Sequence, residues 1–262
     1  MNETLKLISN RKSLRVYDKE RPLSRDEIDT IINMSMRAPT AGNMMMYSIL
    51  EVTGQEDKDK LAITCDNQPF IAEAPLVLIY LADMQRWYDY YSYSGVPDYC
   101  KNHQIDFEKP QESDLILACC DALIAAQTAV IASESMGIGS CYIGDIMEQY
   151  EVHREMFNLG DLVFPVTMLC FGRYRSAYLQ QSPRSRFDQK FIHFKDRYRR
   201  IMAEEFDQMY EHLEMGENHP SYLKDAQNFG QHHYLRKTGA EFSKEMRRSV
   251  SMALKCWLEA IK

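Results

Sequence analysis

At 262 residues, 45% of them hydrophobic and 26% charged, the chain has an ordinary globular composition and enough length for one large core or two modest ones. A formal net charge of -7 excludes a general nucleic-acid binder, which needs a broad basic surface to release counterions from phosphate, yet leaves room for a local basic pocket. Seven cysteines at positions 65, 100, 119, 120, 141, 170 and 256 form no C-x-x-C pair and no zinc spacing, so a reducing, cytoplasmic setting is expected. The N-terminus lacks the apolar run of a secretory signal. The most apolar stretch, Leu115 to Ala132, contains Asp121, Gln127 and Thr128 and reads as an enclosed helix with no membrane role.

In chain order, Leu5 and Ile8 predict a short helix that delivers the chain to Arg11-Lys12-Ser13-Leu14-Arg15. This stretch places three cations and a hydroxyl within one turn of chain. Arg offers a planar fork matched to phosphate oxygens, Lys a point charge and Ser a short hydrogen bond, so the stretch can hold a phosphate; its plain alternative is a solvated basic face. Ser24-Arg25-Asp26-Glu27 is a capping box that starts a helix, with Ile28, Ile31, Ile32 and Ser35 on one stripe and Pro39 stopping it near Arg37. The loop Ala38-Pro39-Thr40-Ala41-Gly42-Asn43 has small residues that let a ligand approach the backbone, or it is merely a helix terminator.

Tyr47 to Val52 predicts a strand and residues 56–65 a polar helix. Asn67-Gln68-Pro69-Phe70 precedes a short helix, and Leu76 to Ala82, apolar on both faces, predicts a central strand. From Arg86 to Phe107 the density of rings suits either a lid over a flat ligand or a loop folded on itself. Glu112 to Met136 predicts the longest helix, ended by Gly137-Ile138-Gly139, and Ser140 to Asp145 reads as a glycine-bearing loop with its N–H groups free for a ligand. It is not the G-x-G-x-x-G turn of a Rossmann unit. Leu162 to Gly172 predicts a strand whose Pro165 suits an edge or a bulge. A basic irregular segment to Lys190, a charged helix from Arg197 to Met215, a turn at 216–221 and a closing helix from Thr238 to Ile261 complete the chain. The last carries the stripe Phe242, Met246, Val250, Ala253, Leu254, Trp257 and Ile261.

Four motifs in this order, Arg11-Lys12-Ser13-x-Arg15, Ala38 to Asn43, Gly137-Ile138-Gly139-x-x-Tyr142-Ile143-Gly144 and Pro183-Arg184, resemble the FMN-dependent nitroreductase family over about residues 5 to 195. The resemblance implies an α+β fold, a mixed and mainly antiparallel sheet flanked by helices in three layers. It implies domains at 1–195, which bind FMN, and 196–262, a helical extension packed on the same domain or on a partner subunit. It also implies a homodimer holding FMN between subunits and an NAD(P)H-dependent oxidoreductase that passes hydride through flavin N5 to a nitroaromatic, quinone or similar acceptor in a ping-pong cycle. Arg11, Lys12, Ser13, Arg15 and Arg184 would bind the FMN phosphate side. Pro39, Thr40, Ala41 and Asn43 would line the ring, with Asn67 or Gln68 at its polar edge, and Tyr142, Ile143, Gly144 and Asp145 would face N5. No side chain is required as catalyst and no metal is expected; His219, His232 and His233 read as surface residues.

This chain departs from the family pattern in two places. Met44-Met45-Met46-Tyr47 replaces the polar run that commonly follows Asn43, and Ser182 stands where Lys commonly precedes Pro-Arg. A dehalogenase-like or flavin-destroying relative, a flavin-binding protein without turnover and a phosphate-binding interaction module stay open as alternatives.

Overall fold

The computed structural model describes residues 1–213 and 222–259. By its contacts the chain divides into two units, Met1–Pro183 with Glu245–Lys262, and Arg184–Lys244. The expected boundary at 195/196 therefore falls inside the second unit, and the closing stretch groups with the first.

In the first unit, α1 (Glu3–Asn10) is capped by Asn2, whose side chain accepts from the Leu5 N–H at 2.9 Å. The expected capping box opens α2 (Arg25–Ser35), with Ser24 N donating to Glu27 at 2.9 Å and Glu27 N to Ser24 Oγ at 3.2 Å. There follow β1 (Tyr47–Glu51), α3 (Gln55–Thr64), β2 (Leu76–Asp83), α4 (Gln85–Tyr93) and α5 (Val96–Asn102). Then come α6 (Glu112–Ser135), β3 (Ile138–Ile143), α7 (Tyr150–Met156), β4 (Val163–Arg173) and α8 (Ser176–Leu179).

The sheet has the order β1-β2-β4-β3 and every neighbouring pair is antiparallel. A parallel bridge, Ser13 to Ser140, adds the N-terminal segment beside β3. β2 shows why the layers form: Leu76, Leu78, Tyr80 and Ala82 enter one core, with Ile31 of α2 and the alanines of α6, while Val77, Ile79 and Leu81 enter another, with Leu14, Tyr17 and Leu61. Both faces are thus covered, giving the three layers expected.

Two elements differ from the sequence reading. The Ser140 to Asp145 stretch is mostly β3, a strand pairing Gly139 with Gly172 and Cys141 with Cys170, followed by a 3-10 turn at Gly144–Met147. Glycine normally weakens a strand, but here a Cβ on Gly139 would lie 2.4 Å from the Tyr174 ring, so close ring packing requires it. The ring-rich stretch forms α4 and α5, where Trp87 and Tyr91, four residues apart, pack at 5.7 Å, and Tyr88 stacks on Phe107 at 6.0 Å. β4 is interior, so of the edge or bulge expected for Pro165 it is the bulge that forms, where the register passes from Tyr80–Thr167 to Leu81–Pro165.

By length and composition alone α6 could cross a membrane. Its alanines at 118, 122, 125, 126 and 129 are buried in the first core, against α2 and the sheet. The closing helix α11 (Glu241–Glu259, numbered after two helices below) buries Ala253 and Trp257 in that same core, and its Ser249 accepts from Tyr150 N at 2.8 Å and donates to the Met147 carbonyl at 2.7 Å. Ile261, the last of the expected stripe, lies outside the described residues.

The second unit contains α9 (Ala203–Tyr210) and α10 (Phe229–Arg236). The expected charged helix is shorter at its start, opening when Glu205 accepts from Met202 N at 2.9 Å and pairs with Arg199 at 2.6 Å. Phe187, Tyr210 and Phe229 pack in series at 5.2 and 6.0 Å. The expected turn at 216–221, with His219, lies outside the described residues.

Candidate functional site

The segment after α1 is pinned along β3: Leu14 N donates to the Ser140 carbonyl at 2.9 Å, and Leu14 and Tyr17 are fully buried. Side chains of neighbouring residues are consequently turned the other way, and Ser13 meets the Cys141 thiol. Lys12 spends its three donors on carbonyls at the end of α8, those of Tyr178 at 2.8 Å, Leu179 at 3.1 Å and Gln181. It ties residues 178–181 to the N-terminal segment, an arrangement Tyr178 repeats by donating to the Ser13 carbonyl.

Arg11 and Arg15 are different. Neither side chain makes a hydrogen bond or ion pair among the described residues; Arg15 lies over the Phe70 ring at 5.7 Å and is exposed. The positive field of Arg11 reaches Glu134, Tyr142 and Cys141. Burial nevertheless holds the Glu134 carboxyl above its usual range, against the opposing pull of Arg11 and Lys12, and its Oε1 accepts from Tyr174 at 2.8 Å. Two unneutralised guanidinium groups beside a serine form a place for an anion.

At the far end of β3, Gln68 donates through Nε2 to Asp145 at 2.8 Å and to the Cys65 carbonyl at 2.9 Å. Asp66 and Asn67, at φ 58 and 51, turn the chain so that Asn67 is exposed. Tyr142 donates to Gln127 at 3.2 Å, and burial pushes its hydroxyl up to about 12. Ile143 is buried. Gly144 is exposed, and a Cβ there would touch only the tip of Met147 at 3.9 Å, so a flat ligand can reach this main chain. Of the residues read from the sequence, Arg11, Ser13, Arg15, Gln68 and Tyr142 to Asp145 thus gather along β3.

A second group forms around the 39–46 loop. Pro39 and Asn43 are exposed, Thr40 and Ala41 half-buried, and Gly42, Asn43 and Met45 all take positive φ, at 55, 58 and 50. Met45 is an unusual residue there and must be held. Asp121 of α6, 2% exposed, accepts from Ala41 N at 3.0 Å and Met46 N at 3.2 Å, Arg86 donates to the carbonyls of Met45 and Tyr47, and Trp87 donates to that of Met44. The loop is therefore preorganised. This group meets α6 at Asp121 and the cation cluster meets it at Glu134, about 20 Å further along the helix at 1.5 Å per residue. Arg184 belongs to the second unit and is exposed.

Sequence reading missed Asp121 as an anchor, although an acid inside an apolar helix is a strong signal of a specific partner. It also missed Arg86 and Trp87, hidden in a stretch read as lid or loop, and Glu148, which no motif marks. A cavity of about 710 Å3 between α1 and the end of α6 is lined by Lys12, Glu134 and Tyr174, but not by Arg15, Gln68 or Gly144.

Fold and site together define a three-layer α+β protein with two unpaired guanidinium groups beside β3 and a second loop held by Asp121, Arg86 and Trp87. Residues 8–173 match the Nitroreductase family, and the chain belongs to that family. It is 30% identical over 174 residues to an FMN reductase (NADPH) of Bacillus subtilis and 31% identical over 172 residues to an FMN reductase [NAD(P)H] of the same organism. Each match covers 66% of this chain and 66% of the relative, just under two thirds of the relatives' length. The solved structure of NfrA1 nitroreductase from Bacillus subtilis superimposes with a TM-score of 0.67 at 25% identity, covering 80% of each chain.

Proposed function

We propose that this chain is an NAD(P)H-dependent FMN oxidoreductase of the cytoplasm, working as a homodimer. The observation that carries this reading is the pair Arg11 and Arg15, unpaired beside Ser13, on the segment that bridges the strand leading to the open main chain of Gly144. Cations without partners fit a phosphate tail, and an uncrowded glycine fits a flat ring. When bound, FMN supplies the chemistry, a hydride relay from the nicotinamide to a nitroaromatic, quinone or similar acceptor in a ping-pong cycle.

In this reading Arg11, Ser13 and Arg15 bind the phosphate side, and Lys12 acts by fixing them through its tie to residues 178–181. Gln68 and Asn67 bind the polar edge of the ring, and the N–H groups near Gly144 stabilise negative charge beside it. Pro39, Thr40, Ala41 and Asn43 line the ring from a second copy, which explains the length of α6 separating the two groups. Ile116, Leu117, Leu123 and Ile124, 41 to 66% exposed on the outer face of α6, supply an apolar surface for that copy. Arg184 is assigned to the phosphate by its place in the Pro183-Arg184 motif. The seven free thiols suit a reducing compartment.

An absorption spectrum of the purified protein, followed by anaerobic titration with NADH and NADPH, tests this. A flavin spectrum bleached by either nucleotide is expected, and Arg11→Ala should weaken FMN binding by about 2 kcal/mol. A colourless protein whose melting temperature does not rise with added FMN would overturn the proposal.

A further inference from the structure

Glu148 closes the 3-10 turn that begins at Gly144, and the mechanism above does not use it. Its side chain is 4% exposed, and its Oε1 has no hydrogen-bond partner. The groups that face it are mostly acids: Asp145 on its own turn, Asp66 from the loop after α3 and Glu245 from α11. The nearby His153 of α7 gives no positive charge, because burial lowers its pKa while its ring bonds the Ile146 carbonyl and Thr64 at 2.9 and 2.8 Å. Lys60 of α3 acts on His153, and Arg248 of α11 is taken by Glu245 and Glu151. A buried carboxylate in such company gains by keeping its proton.

The consequence reaches Gln68. Asp145 faces Glu148 from the same turn, and Asp145 Oδ2 accepts from Gln68 Nε2 at 2.8 Å. The same nitrogen donates to the Cys65 carbonyl at 2.9 Å, so both amide hydrogens are used. Gln68 Oε1 is left, and it can only accept.

We propose that Glu148 is a positioning residue: as a neutral acid it donates to the Asp145 carboxylate, which holds the Gln68 amide with its carbonyl oxygen presented to an N–H donor on the ligand. The inference rests on the FMN reading, since the pyrimidine edge of a flavin carries such an N–H. Above the pH at which Glu148 ionises, the two carboxylates repel and Asp145 swings away. Gln68 then loses its fixed orientation. Burial, followed by the fields of Asp145 and Asp66, pushes the Glu148 carboxyl up to about 8, which places the change between pH 7 and 9.

The test is FMN affinity, read by fluorescence quenching from pH 7 to 9, for the wild type and Glu148→Gln. The wild type should weaken roughly fivefold with a midpoint near 8, the loss of about one neutral hydrogen bond. Glu148→Gln keeps a donor toward Asp145 but cannot titrate, so its affinity should stay flat. A flat wild type, or the same slope in both proteins, overturns the proposal. If neither protein binds FMN at any pH, the flavin reading fails, and the inference is decided without ligand. The side-chain amide resonance of Gln68, identified by its loss in Gln68→Leu, should shift in the wild-type apoprotein with a midpoint near 8. A resonance that does not move between pH 7 and 9 overturns it, whether or not Glu148→Gln folds.

Discussion

Asp121→Ala separates an anchoring role for this acid from simple helix composition. The carboxylate receives the N–H groups of Ala41 and Met46, which bracket the left-handed run Gly42 to Met45. Alanine leaves both without an acceptor. Met46 is 2% exposed, so its N–H loses its partner with no water to replace it, costing about 2 kcal/mol; Ala41 is half-buried and costs about 1 kcal/mol. Alanine is the better helix former, which returns roughly half a kcal/mol. The net loss of about 2.5 kcal/mol corresponds to a fall in melting temperature of roughly 5 to 10 °C for a chain of this size. Urea denaturation and calorimetry measure it, and Asp121→Asn, with one acceptor kept, should lose about half as much. A loss below about 1 kcal/mol, or equal losses for Asn and Ala, would show that the loop is held by Arg86 and Trp87 instead.

Gly139→Ala should destabilise by about 1 to 3 kcal/mol, because the new methyl meets the buried Tyr174 ring at 2.4 Å and must displace it from Lys12 and Glu134. Wild-type stability in denaturant would refute that packing. Glu148 also makes stability depend on pH. Its folded pKa, about 8, lies above the ordinary 4.5, so the folded chain keeps a proton that the unfolded chain has released, and stability is lost as pH rises from about 4.5 through 8. The full linkage is roughly 5 kcal/mol, and relaxation of the turn around the ionised carboxylate reduces it to about 2 kcal/mol. Comparing urea midpoints at pH 5 and 8.5, the wild type should decline relative to Glu148→Gln by that amount, and parallel curves would contradict the burial argument.

What the sequence made legible was mostly local. The Ser24–Glu27 box could be read because both partners lie within four residues, and β2 because an apolar run of that length has few other uses. β3 was hidden, since its glycine, Gly139, is demanded by Tyr174, a residue far away in the chain. α4 and α5 were obscured by so many rings that no single stripe stood out. At the site, motif order indicated Arg11, Ser13, Arg15, Gln68 and Asp145, but not that Lys12 is spent on carbonyls some 166 positions later. Nor could it show that Asp145 bonds Gln68 with Glu148 behind it, because burial of an acid depends on what the rest of the chain packs around it.

The position of β4 has a consequence for biosynthesis. Among the described residues it is the last strand to leave the ribosome, yet it lies between β2 and β3. Until about residue 173 has emerged, two rows of backbone donors and acceptors stay bare, and β1 with β2 is only a two-stranded ribbon, too small to be stable alone. Closure of the sheet is thus a late, long-range event, slow for its size by the rule linking sequence separation to rate. Until then the nascent chain carries unpaired strand edges, the feature by which partly folded chains aggregate.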